Sequence, residues 1–141
     1  MARFTPRAVK SFTIKREQWL SGAVLKANSK AHHGELESSL RDPETGLQCC
    51  LGFYCRAAGF KTKQITSEAL LSTLWVSVSN SDQFAEVRES ESMFAEVNDS
   101  PTITQHERER RIKKGFKNLG IKVVFQGSAK PAIAKALKLT K

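Results

Sequence analysis

Residues 47–58, Leu-Gln-Cys-Cys-Leu-Gly-Phe-Tyr-Cys-Arg-Ala-Ala, are the most apolar stretch of this 141-residue chain. They limit the fold more than any other feature, because a run with a single charge has to be covered on nearly all sides in water. The run falls short of the roughly 18 residues that span a bilayer, and no other segment reaches that length. Gly59 follows at the position of a helix C-cap. The stretch is therefore read as a buried helix. A short strand over residues 47–50 leading into it is the alternative, since periodicity alone does not separate the two.

A buried helix needs covering elements, and the clearest lies near the other end. Thr104 and Glu107 make a capping box for a helix over residues 105–118, with Ile112, Phe116 and Leu119 as its core stripe. Glu107/Arg111 and Glu109/Lys113 fall at i,i+4 in the favourable order. Gly120 stops this helix, and Ile121 to Phe125 reads as a β-branched strand. Earlier in the chain, Thr13 caps an expected helix from Ile14, with Trp19, Leu20, Ala23, Val24 and Ala27 at helical spacing and a polar end from Asn28. Residues 41–46 form a turn through Pro43 and Gly46. A short helix over residues 67–75 and a brief strand over residues 76–79 come next. Residues 80–92 read as an exposed acidic loop, Met93 to Val97 as a short apolar element, and residues 98–101 as a turn.

This pattern predicts one α+β domain, helix-rich, with a few short strands and a closing helix–Gly–strand unit. The expected boundaries are a basic arm at residues 1–12, the globular domain at 13–126 and a basic tail at 127–141. The tail is either a weak amphipathic helix begun at Pro131 or disordered. A chain of this length buries enough surface to fold without a disulfide or metal. Composition, 40% hydrophobic and 26% charged, excludes collagen, a coiled coil and wholesale disorder. Residues 1–7 have charge without a following apolar core, so no signal peptide is expected. The odd number of cysteines, two of them vicinal, points to free thiols in a cytosolic protein.

The net charge of +9 is unevenly spread. Residues 1–66 carry 11 basic and 5 acidic side chains, residues 67–100 carry 1 and 7, and residues 101–141 carry 11 and 2. Two basic ends thus flank an acidic middle. The closing helix supplies the best candidate interface: Arg108, Arg110, Arg111, Lys113, Lys114 and Lys117 are expected to face outward and meet phosphates or an acidic partner. No aromatic interleaving, Gly-rich phosphate loop or helix-turn-helix signature accompanies them, which argues against base-specific reading.

Other chemistry is weaker. Cys49, Cys50 and Cys55 with His32 and His33 lack the regular ligand spacing of a zinc site, so no metal is assigned. The acidic stretch over residues 86–96 lacks the alternating ligands and glycine of a calcium loop. No cofactor is implied. A cysteine-dependent enzyme would use Cys49 or Cys50 with a histidine base, His32 or His106, oriented by Asp99 or Asn98. The competing reading makes those cysteines core residues and Asn98-Asp99 a turn.

Trp19-Leu20-Ser21-Gly22, Cys49-Cys50-Leu51-Gly52, Val97-Asn98-Asp99 and the closing Glu107-Arg108-Glu109 helix, in that order, resemble a group of small accessory proteins of tailed bacteriophages and prophages. The resemblance covers roughly residues 14–125. It implies a phage product working in the host cytoplasm. With charged faces and no convincing catalytic set, such a product is expected to act by binding, without catalysis, to a host or defence factor or to nucleic acid. The group carries no established activity, so no catalytic residue is transferred. The polar insert near residues 76–92 and the lysine-rich tail depart from the group's pattern and suggest a specialised partner.

Overall fold

The strand expected after Gly120 finds its partner at the opposite end of the chain. In the computed structural model, which describes residues 4–32, 39–68, 71, 74 and 82–137, β1 (Ser11–Lys15) and β2 (Lys122–Gln126) form a two-stranded parallel sheet. The register runs from Ser11↔Lys122 to Lys15↔Gln126. Parallel strands need a long crossover, and here it is most of the domain: α1 (Gly22–His32), α2 (Cys50–Ala57), α3 (Thr62–Ile65), α4 (Asp82–Glu89), α5 (Glu91–Asp99) and α6 (Gln105–Lys117). After β2 comes α7 (Lys130–Leu137). The protein is a small helix-rich α+β domain.

The apolar run forms the spine. Residues 50–55 of α2 are all buried, and the preceding Gln48 pairs with Trp19 in an isolated parallel bridge. The buried helix is formed from Cys50, and of the alternative strand over residues 47–50 only this single bridge residue is present. Around α2 the aromatic rings pack closely. Phe94 stacks on Phe116 with centroids 4.1 Å apart, and Phe12 meets Phe116 edge-on at 5.0 Å. Truncating a ring such as Phe116 costs about 3–5 kcal/mol in a core of this kind. A smaller cluster of Leu20, Val24, Leu47, Ala132 and Ala136 joins α1 to α7.

The N-terminal third corrects the sequence reading. The helix expected from Ile14 is split into β1, a 3₁₀ turn at Arg16–Gln18, the Trp19–Gln48 bridge and α1, and α1 continues past Asn28 to His32. Phe12 and Ile14 alternate inward, and the long-range ladder to β2 overrides the local helical spacing. Of the expected arm over residues 1–12, the described residues 4–12 are not free either. Gln83 holds Val9 like a neighbouring strand, accepting from its N–H at 2.7 Å and donating to its carbonyl at 2.9 Å. Phe4 meets Phe60 edge-on. At the other end the globular domain extends beyond residue 126, because Ala132 and Ala136 are fully buried and Asn28 Nδ2 donates to Ala136 O at 2.9 Å.

The acidic middle also differs. The expected loop over residues 80–92 contains α4, anchored by the buried pair Phe84 and Val87 at i,i+3. Asn98 and Asp99 end α5 instead of opening a turn, and the chain leaves the helix at Ser100. Of the helix expected over residues 67–75, Ser67, Glu68, Leu71 and Leu74 are described, and Ser67 takes φ +68, which does not start a helix. The strand expected over residues 76–79 lies outside the described residues.

A candidate polyanion interface

Helix α6 presents two faces of opposite character. Arg108, Ile112, Gly115 and Phe116 are buried. Arg110, Lys113, Lys114 and Lys117 stand at i, i+3, i+4 and i+7, all exposed, which puts them on one stripe. Thr104 Oγ1 caps the helix by accepting from Glu107 N at 3.1 Å. The reciprocal half of the expected capping box is missing, because the Glu107 carboxylate turns to Arg110 and to Arg111 Nε at 2.9 Å. Those two guanidinium groups hold the Glu107 carboxyl down at about 2.

The stripe borders an open groove of about 950 Å³. Its opposite rim comes from the sheet. Ile121 N donates to Phe116 O and Lys122 N donates to Lys10 O, each at 2.9 Å, which brings the two lysines side by side. Lys10, Arg110, Lys113, Lys114, Lys117 and Lys122 line the groove, together with Asn118, Gly120 and a floor of Ile121 and Val123; none of the lining residues is acidic.

The absence of acid on this wall has a physical cause. The expected Glu109/Lys113 pair is not made. Arg16 takes Glu109 in a two-pronged bond, Nε to Oε2 at 2.9 Å and Nη2 to Oε1 at 2.7 Å, while Gln105 adds a bond at 3.1 Å. Burial pushes the Glu109 carboxyl up, and the Arg16 and Gln105 bonds outweigh it, leaving the pKa below its ordinary value. The carboxylate is thus bonded outside the groove lining, and Lys113, which is close enough for its charge to help lower the Glu109 pKa, lines the groove. Arg16 is itself pinned by Gly127 O at 3.0 Å.

Of the six predicted contact residues, four line the groove, and the other two do not. Arg111 is exposed outside the lining. Arg108 points inward and is 1% exposed. Its Nε donates to Val97 O at 3.3 Å, Nη1 donates to Gln105 Oε1 at 2.8 Å, and Nη2 donates to Ser100 O. It closes the C-terminus of α5, where unpaired carbonyls and the helix dipole favour a cation. Burial lowers its pKa, countered by Asp99 and Glu109. This overturns the outward placement expected from the sequence, and helical phase held the signal: Arg108 lies four residues before Ile112, on the core stripe. Lys122 continues the basic positions of the helix in the sequence, whereas Lys10 was missed because only the parallel pairing brings it beside Lys122.

Among the described residues the cysteine set does not assemble. Cys49, Cys50 and Cys55 are free and buried. Burial pushes the Cys49 thiol up to about 12, the Asp99 charge adding to it against the N–H groups of Gly52 and Leu51. Burial likewise raises Cys50 well above the usual thiol range. His106 sits on the exposed side of α6 and no hydrogen bond among the described residues joins it to either thiol. Asp99 accepts from Asn98 Nδ2 at 2.9 Å. Among the described residues no group of three or more His, Cys, Asp or Glu is arranged to hold a metal; the side chains of His32 and His33 lie outside them.

The sequence boxes meet at a structural hub instead. Asn98 Oδ1 accepts from Trp19 Nε1 at 2.8 Å and from Cys50 N at 3.0 Å, while Nδ2 donates to Leu20 O at 2.8 Å. A Cβ on Gly22 would run into Ser100 O, and one on Gly52 into Leu40 O. The glycines of the Trp-Leu-Ser-Gly and Cys-Cys-Leu-Gly boxes therefore permit close backbone crossings. No helix among the described residues is long and apolar enough to cross a membrane. The chain matches no protein-family model, no curated protein and no solved structure.

Proposed function

We propose that the protein acts by binding a polyanion, the phosphate backbone of nucleic acid, in the groove between α6 and the start of β2. One observation carries this reading: six cations, four on α6, one on β2 and one just before β1, line one groove whose lining holds no carboxylate. Among the described residues Arg110 alone of the six is paired with an acid, Glu107. Such a surface gains affinity by releasing counterions from phosphates. An acidic host or defence protein would meet the same charges, but stable protein interfaces draw on buried aromatic or aliphatic anchors. The large exposed apolar side chains among the described residues are Met93 and Leu137, and neither lines the groove. With the resemblance to phage accessory proteins, the reading is of a non-catalytic phage product acting on nucleic acid in the host cytoplasm.

A salt titration tests it. With about four phosphates engaged on a duplex, log K falls with log[salt] at a slope near −4. No binding at about 50 mM salt, or binding indifferent to salt, contradicts the reading.

A further inference from the structure

We propose that the groove is built for duplex nucleic acid, held by both backbones without regard to sequence; this rests on the polyanion reading above. The cations form two rims. The helix rim is Arg110, Lys113, Lys114 and Lys117, and the strand rim is Lys10 beside Lys122, with Ile121 and Val123 as the floor between them. A duplex presents two phosphate rows flanking a groove of about 6 or 12 Å, whereas a single strand presents one. From Arg110 to Lys117 the helix rises about 10 Å, a length over which duplex DNA carries about six phosphate charges.

What the groove lacks points the same way. Proteins that hold single strands stack bases on exposed aromatic rings. No aromatic side chain lines this groove. Phe12, Phe94, Phe116, Tyr54 and Trp19 are buried. The rims also favour backbone over base. Five of the six cations are lysines, which act as point charges, and Arg110, whose fork could read guanine, is already engaged by Glu107.

The test uses the full chain with a 20-base-pair duplex DNA, a duplex RNA of the same sequence, each constituent strand alone and a second duplex of unrelated sequence, all at about 0.1 M salt. There each lost phosphate contact costs roughly tenfold. The duplex is expected to bind at least tenfold tighter than either strand, and the two duplex sequences to agree within about threefold. K10E/K122E and K113E/K117E, which reverse the charge at two contacts each, are each expected to weaken duplex binding by more than about a hundredfold. All four lysines are exposed, so the melting temperature stays at the wild-type value. K10Q/K122Q gives the milder loss expected from removing charge without reversing it. Comparison of the DNA and RNA arms identifies which duplex is preferred. Single strands binding as tightly as the duplex with a steep salt dependence overturn the duplex inference and leave the polyanion reading standing. Duplex binding unaffected by K10E/K122E also overturns it. Absence of binding to every probe overturns both.

Discussion

Asn98 Oδ1 accepts the indole N–H of Trp19 at 2.8 Å, far from either residue in sequence and fully inside the protein. The same side chain reaches Cys50 N, Leu20 O and Asp99, so the C-terminal turn of α5 is bonded to the N-terminus of α2 and to the segment entering α1. Buried polar groups carry their full desolvation penalty when a partner is removed. Asn98→Ala leaves the Trp19 and Cys50 N–H groups and the Leu20 carbonyl without it, and is expected to destabilise by about 3 kcal/mol or more. Trp19→Phe removes one donor and some packing. A double-mutant cycle by urea unfolding should show coupling between the two sites; strict additivity contradicts the hub.

Arg108 and Lys114 share a helix and a charge sign but should behave oppositely on substitution. Arg108→Met removes the cation closing α5 and is expected to lower stability by about 2–4 kcal/mol, with the salt slope of nucleic-acid binding unchanged. Lys114→Gln is expected to leave stability within about 0.5 kcal/mol and to reduce that slope by about 1. Thermal melts and salt titrations of both variants decide the matter.

Much of this architecture is legible in the sequence, and the losses have identifiable causes. The closing helix and strand, the buried helix after residue 47 and the inward cysteines follow from local period, capping and composition. The split of the expected N-terminal helix does not, because β1 exists only through its ladder to a strand over 100 residues away. Helix α4 was hidden by its polar exterior, with only Phe84 and Val87 marking the inner face. In the groove, the stripe from Arg110 to Lys117 is visible as i, i+3, i+4, i+7 spacing. The second rim, and the diversion of Glu109 to Arg16, depend on tertiary pairing that no local pattern records.

The three thiols should be inert in the folded protein. Burial raises all three pKa values, Cys49 to about 12 and the others well above the ordinary range. At pH 8 a thiol-specific chromogenic reagent is expected to titrate none of them in the native protein and all three in denaturant. Rapid native labelling of Cys49 or Cys50 would revive a cysteine-dependent enzyme.

Acid should weaken the fold through the α6 carboxylates. The Glu107 pKa is lowered from an ordinary 4.5 to about 2 by Arg110 and Arg111, and that of Glu109 is also lowered. A depressed folded-state pKa gives stability that is present above the unfolded value and is lost as pH falls through the folded one. Melting temperature is therefore expected to decline from about pH 4.5 towards about pH 2. E107Q should show a shallower decline over that window. An identical profile for wild type and E107Q contradicts the assignment.

The central claim, that the groove between α6 and β2 binds duplex phosphate, is tested most directly by one pair of salt titrations. Binding of a mixed-sequence duplex is followed from about 50 to 200 mM salt for the wild type and for K113E/K114E/K117E. The account predicts a wild-type log–log slope near −4 and, for the variant, a slope shallower by about 3 with affinity near the limit of detection at the upper salt concentration. Equal affinities and equal slopes for the two proteins would show that the duplex, if bound at all, is held elsewhere.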